Sequence, residues 1–191
     1  MRRHRRHGGG LRVADAVFAV FAAVTALGAM PAAAAQPATE ACRLGDPNTD
    51  RPLVPGCRLG ADERLALTPQ ALRGLHFDRD GLALLSVGAR FYYVRADGRS
   101  LPVITWDNGP DGFTEGLTRG IFHGRIGFYD RQLREVIAPV HDFAWPFEHG
   151  VAAVCDGCSA GTPDTDGHTP MQGGRWYSID RHNREVSALK H

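Results

Sequence analysis

Apolar residues in this chain come in short runs of four to six, rich in Val, Ile, Phe and Tyr and broken by turn residues. Runs of that length and punctuation predict β-strands. The stretch that organises the rest is Gly124 to Gly157. It opens on Gly124-Arg125-Ile126-Gly127-Phe128-Tyr129-Asp130 and continues through Glu135-Val136-Ile137-Ala138-Pro139. It then passes Asp142-Phe143-Ala144-Trp145-Pro146-Phe147 and ends on Gly150-Val151-Ala152-Ala153-Val154. These are short β-type segments separated by turns or loops.

The same phrase can be read three times. An aromatic followed shortly by Gly opens each copy: Phe77 with Gly81, Phe113 with Gly116, Phe147 with Gly150, the glycines 35 and 34 residues apart. The next phrase keeps step as Arg90-Phe91-Tyr92-Tyr93-Val94, Arg125-Ile126-Gly127-Phe128-Tyr129 and Arg175-Trp176-Tyr177-Ser178-Ile179, spaced by 35 and 50 residues. The extra length is an insertion at about 156–173, between Cys155 and Gly174. A third phrase starts at Arg99, Arg134 and Arg184. A fixed period of this size signals stacked units, none of which buries its apolar face alone. Ala96-Asp97-Gly98 predicts a hairpin turn with Gly98 at positive φ. Arg131-Gln132-Leu133 lacks a Gly, so a different turn is expected there. Asp107–Gly112 predicts a long loop, paralleled by His141–Pro146. Phe113 and Phe147 are expected to be buried anchors between neighbouring units.

These phrases resemble the WG-repeat (KWG-type) proteins of bacteria. That family's unit carries a Gly-x-Trp-Gly-aromatic-Ile-Asp phrase and later an aromatic-x-Glu-Gly-Leu-Ala phrase. Gly124–Asp130 is similar to the first with Ile126 in place of Trp, and Gly174–Asp180 with Tyr177 in place of Gly. Phe113–Leu117 and Phe147–Ala152 are similar to the second. The resemblance covers roughly residues 77–191. It implies an antiparallel β-repeat body, no shared catalytic residues, and binding or scaffold work. The expected fold class is all-β: three tandem three-stranded antiparallel repeats (77–112, 113–146 and 147–191), open or propeller-like, with an N-terminal arm over 36–76 and one short helix.

Charge changes the picture at the N-terminus. Five arginines and a single acid, Asp15, lie in the first 35 of the 191 residues. Arg2–Arg12 is a basic region, Val13–Ala29 an apolar one, and Ala32–Ala35 a run of small residues, which is the order of an export signal cleaved near Ala35. The alternative is an uncleaved anchor, but the apolar run is short of the roughly 20 residues that span a bilayer. Without those 35 residues the net charge is −3, which gives no electrostatic footprint for nucleic acid. The expected location is therefore periplasmic or secreted, with no integral span after cleavage. Gln36–Leu65, rich in Pro, Asp, Gly and Ala, is expected to be irregular. Thr68-Pro69 predicts a helix start, with Thr68 as N-cap, Gly74 as the limit, and Leu72 and Leu75 facing the core.

Candidate chemistry rests on few residues. The four cysteines predict two disulfides, Cys42–Cys57 across the arm and Cys155–Cys158 at the mouth of the insertion, since export favours oxidation. Cys155-Asp156-Gly157-Cys158 with His168 leaves open a zinc site, and a redox-active pair is a third reading. His141 and His149 are expected at solvated loop edges, because no hydrolase, metalloprotease or phosphate-loop motif accompanies them. Trp106, Trp145 and Trp176 predict core aromatics; beside Asp107 and Asp142 they alternatively form a ligand-binding face. The expectation is an exported non-catalytic binding or structural module, without cofactor, whose partner is a protein, peptide or glycan. The alternative is a metal-dependent or hydrolytic periplasmic enzyme, or a zinc-binding protein, built on Cys155, Cys158 and His168.

Overall fold

The computed structural model describes residues 41–46, 50–106, 108–165 and 168–188. Contacts divide the chain into Met1–Ala35 and Gln36–His191, and every described residue belongs to the second unit. The expected export signal, its cleavage point near Ala35, and Asp107 lie outside the described residues.

The arm contributes β1 (Ala41–Leu44), β2 (Leu53–Leu59), β3 (Leu65–Leu67) and α1 (Pro69–Arg73). Three meanders follow: β4 (Leu82–Val87), β5 (Arg90–Arg95) and β6 (Ser100–Val103), then, after the hairpin β7 (Thr105–Trp106) and β8 (Gly109–Pro110), β9 (Leu117–Phe122), β10 (Arg125–Asp130) and β11 (Glu135–His141). The short β12 (Phe143–Ala144) leads into β13 (Ala152–Ala160), β14 (Met171–Ile179) and β15 (Glu185–Ala188). All pairings are antiparallel. One nine-stranded sheet runs β11-β10-β9-β6-β5-β4-β1-β2-β3, a second runs β12-β13-β14-β15, and no sheet closes on itself. The chain is thus mostly β with one short helix, as its pattern predicts.

The glycines that open the meanders hold the same left-handed conformation: Gly81 at φ +74°, Gly116 and Gly150 at +80°. Successive meanders also meet through the same contacts. Tyr93 of β5 packs on Phe113, and Phe128 of β10 on Phe147, with ring centroids 5.4 and 4.7 Å apart. Arg131 lies over Phe113 and Arg181 over Phe147, at 4.7 and 5.5 Å. Each arginine pairs with the acid just before the preceding opening glycine: Arg131 with Asp80, and Arg181 with Glu115 at 3.2 Å. The cores sit at these junctions. Leu82, Phe91, Leu101, Phe122, Tyr129 and Leu133 form one; Leu117, Ile126, Phe128, Phe147, Val154 and Ile179 are part of the next. Phe147 is fully buried as expected, whereas Phe113 is only partly so.

Three expectations are corrected, and the insertion takes a definite form. The arm is not irregular. β1 pairs with the free edge of β4 (Arg43 opposite Ser86), and Cys42, Val54 and Leu65 bury against Leu85, Tyr92 and Val94. Pro55 is tolerated because Val54–Gly56 form a bulge between the partners Arg43–Leu53 and Ala41–Arg58. The insertion extends the β13–β14 hairpin, with Cys158 opposite Gly173 and Ala160 opposite Met171. Thr105–Pro110 is a hairpin rather than a plain loop. The turn at Leu133 does not differ from the turn at Gly98: Leu133 takes φ +55° and its amide bonds Asp130 O at 2.8 Å, just as Gly98 N bonds Arg95 O at 2.9 Å.

α1 begins as its sequence dictates. Thr68 Oγ1 accepts from Ala71 N at 3.1 Å, Pro69 occupies the first turn, and Gly74 caps the end. Ala71 and Leu75 are buried, and Leu72 is partly buried against the same cluster.

Candidate functional site

The three tryptophans come from three separate segments and converge on one exposed surface. Cross-strand pairing explains half of it. Phe143 and Trp176 both pair with Cys155 of β13, from opposite sides, and directly opposed residues share a sheet face. Their rings therefore meet over Cys155, centroids 5.8 Å apart. Trp145, anchored by its amide to Ala153 O at 2.8 Å, stands edge-on to Phe143 at 5.4 Å. Trp106, delivered by the β7–β8 hairpin, stands edge-on to Trp145 at 5.3 Å. Trp106 is 41% exposed and Trp145 44%. The core-aromatic expectation is thus corrected for Trp106 and Trp145, and the three tryptophans of the sequence reading are joined on this surface by Phe143.

Beneath Trp106 lies a buried and heavily bonded polar group. Arg119, at the middle of β9, is 1% exposed, and its guanidinium sits 4.7 Å from the Trp106 ring centre. Arg119 Nε donates to Asp111 Oδ2 at 3.1 Å and Nη2 to Asp111 Oδ1, a two-pronged ion pair. Arg119 Nη1 donates to Ala144 O at 2.8 Å, tying β9 to β12. Asp111 Oδ2 also accepts from Arg119 N at 2.8 Å, and its main-chain oxygen accepts from Thr118 Oγ1 and Tyr93 OH. Burial, then the charges of Asp111 and Asp78, push the Tyr93 phenol up to about 12. Each nitrogen of this buried guanidinium has an acceptor and its flat face lies against the Trp106 ring, so the hairpin that carries Trp106 is braced from below. Neither Arg119 nor Asp111 was singled out in the sequence. The available signal was a charge in the middle of the strand-like run Leu117–Phe122.

Asp142 is elsewhere engaged: it bonds Arg125 at 2.8 Å and accepts from Gly157 N at 2.6 Å. It holds the Cys155–Cys158 segment rather than flanking the tryptophans. The cysteines form the expected pairs, Cys42 with Cys57 and Cys155 with Cys158, at Cα separations of 5.7 and 6.0 Å. Residues three apart on a strand normally face opposite ways; Gly157 at φ +78° turns Cys158 back toward Cys155. In this structure Cys155 and Cys158 pair with each other rather than standing beside His168. His168 meets Asp164 instead, its amide donating to Oδ1 at 2.8 Å. Among the described residues no group of three or more His, Cys, Asp or Glu side chains is placed to hold a metal.

His141 is not a solvated loop residue. It ends β11 at 2% exposure, with Nδ1 2.9 Å from Asp156 Oδ1 and Nε2 2.9 Å from Asn183 Oδ1. Tyr177 OH donates to Asp156 Oδ2 at 2.6 Å. Burial raises the Asp156 carboxyl, but the bonds from Tyr177 and His141 outweigh it and hold it below its ordinary value. Burial and Asp156 push Tyr177 up to about 12. This network joins β11 to β13, β14 and the turn before β15.

Several hollows open on the surface of the described residues. A cleft of about 410 Å³ is lined by Trp145, Pro146, Glu148, His149, Val151, Ala153 and Ser178. A groove of about 510 Å³ between β2 and α1 is lined by Leu53, Val54, Pro55, Ala71 and Leu75 among others, and no charged side chain lines it. No helix among the described residues is long and apolar enough to cross a membrane. No protein-family model, curated protein or solved structure matches this chain.

Proposed function

We propose that the mature chain is an exported, non-catalytic binding module. In this reading its three meanders are repeats of one unit, as the WG-repeat resemblance implies, and its partner sits on the face of Trp106, Phe143, Trp145 and Trp176. The observation that carries the reading is the exposure of two adjoining tryptophans on a rigid base. Large aromatic rings held at the surface by a fully bonded buried ion pair are pre-organised for contact and lose little side-chain freedom on binding. Two disulfides fit an oxidising extracellular environment, which agrees with the export signal read in the first 35 residues. The mildly acidic body points to a protein, peptide or glycan partner and away from nucleic acid.

The test is binding of the chain 36–191 to glycan and peptide arrays, wild type beside Trp106→Ala and Trp145→Ala. Retention of a ligand class by wild type, weakened at least about tenfold in both variants, supports the reading. Ligands held equally by all three proteins would place the site elsewhere and refute it.

A further inference from the structure

The cleft beside Trp145 occupies a telling position. In the first meander, Leu82 is followed by the cross-strand pair Leu84–Tyr93; in the second, Leu117 by Arg119–Phe128. These side chains fill the junction with the next meander, where Tyr93 meets Phe113 and Phe128 meets Phe147. The third meander has Val151 and the pair Ala153–Ser178 at the same places. The aromatic has become a serine, and the volume these large side chains occupy in the first two meanders is open in the third. Asp80 and Glu115, which take an arginine from the following meander, are replaced here by His149, with Glu148 beside it.

A bare end unit needs only a polar outer face to stay soluble. This one keeps Trp145, and Val151 at 38% exposure, around a hollow. Its volume falls within the range of about 300–1,000 Å³ that small-ligand sites occupy, toward the lower end. The lining sorts the ligands. Trp145 offers an apolar wall; Glu148, His149 and the Ser178 hydroxyl offer hydrogen bonds in both directions. The Glu148 carboxylate opposes an anion. A neutral ring with one apolar face and a rim of hydroxyls matches this lining: the face meets Trp145 and the hydroxyls meet Glu148, His149 and Ser178.

We propose that this cleft is a carbohydrate subsite, which takes a neutral pyranose ring of a glycan against Trp145, with its hydroxyls bonded to Glu148, His149 and Ser178. The inference rests on the aromatic-face reading and gives it a ligand class and an address.

The experiment titrates the chain 36–191 with cellotriose, maltotriose and triacetylchitotriose, following tryptophan fluorescence and amide NMR shifts. At least one trisaccharide is expected to bind saturably, with shifts at Trp145–Ala153 and Ser178. Ser178→Phe, which restores the side chain that Phe128 supplies one meander earlier, should weaken it at least about tenfold. Ala153→Leu is the second way to fill the cleft should Ser178→Phe fail to fold. Binding that survives both fillings but is lost in Trp106→Ala would overturn the cleft while sparing the aromatic face. Absence of saturable binding by all three sugars up to about 10 mM, weaker than the usual range of specific recognition, would overturn the carbohydrate assignment; peptide retention on the arrays would then still uphold the face.

Discussion

Arg119 shows how one side chain ties fold to function. A guanidinium with 1% exposure tolerates burial only because Asp111, Ala144 O and the Trp106 ring occupy its donors and its flat face. Arg119→Ala leaves Asp111 buried and unpaired, and should cost about 3–5 kcal/mol in urea unfolding. It should also free Trp106, seen as faster iodide quenching of its fluorescence. Leu133 makes a different point. Its φ of +55° is strained for a residue with a Cβ, yet its side chain is buried among Phe122 and Tyr129. Burial of a leucine stabilises by about 1.5–3 kcal/mol, more than the roughly 1–2 kcal/mol of a left-handed residue. Leu133→Gly is therefore expected to destabilise despite removing strain. This is why the turn could not be read from sequence: Gly at position 98 advertises the conformation, whereas Leu at 133 adopts it for a reason that lies in tertiary packing. The turn acids are legible in their effect on pH. Bonds from Arg184 and from the amides of Arg184 and His182 hold Asp180 down at about 2, and Asp130 is lowered in the same way once its bonds outweigh burial. Both contributions are complete above the unfolded value of 3.8 and vanish as pH falls below it. Melting temperature should be flat from pH 7 to 5 and drop between pH 4 and 2.

At the scale of elements, the sequence pattern placed the strands of the three meanders well, because turn residues bracket each run. It failed where strand edges or bulges decide. β11 leaves register with β10 at two points, and its backbone crosses directly over Gly127. A Cβ there would meet Ile137 O at 2.5 Å and Pro139 N at 2.7 Å. The glycine of the repeat-like phrase is thus required by a passing strand, and Gly127→Ala should destabilise by about 1–3 kcal/mol because backbone cannot step aside cheaply. The arm was misread for a related reason. Its prolines argue against helix, but they fit a bulged strand once β4 presents a free edge. The disulfides differ in weight accordingly. Cys42–Cys57 closes a separation of 15 residues and joins β1 to β2, so replacing both by Ser should cost about 3 kcal/mol in the chain-entropy view. Cys155–Cys158 spans only three residues, and the paired replacement there should cost much less. It should instead alter the fluorescence of Trp176, whose strand neighbour is Cys155. Urea titration of the two double variants separates the cases.

At the scale of the whole molecule, the described residues bury three hydrophobic clusters rather than one core. The first and second meanders each pack on the next through an aromatic pair and an arginine–carboxylate bond, and the arm with α1 covers the first. Phe147→Ala, which empties the junction between the second and third meanders, is expected to cost about 3–5 kcal/mol. Three in-register phrases made the strands of the three meanders visible in the sequence. How they join was not visible, since Asp80 with Arg131 and Glu115 with Arg181 are 51 and 66 residues apart and carry no local pattern. The candidate site was half legible: Trp106 and Trp145 were read together, but Asp142 was assigned to them by proximity along the chain, and pairing turns it to Gly157. The most direct test is an amide and indole NMR titration of the chain 36–191 with a ligand taken from the arrays. The account predicts saturable movement of the Trp106 and Trp145 indole resonances, with backbone shifts confined to residues 105–110, 143–153 and 176–178. Shifts clustered instead on Leu53, Val54 and Leu75, around the groove between β2 and α1, with the indoles still, would contradict it.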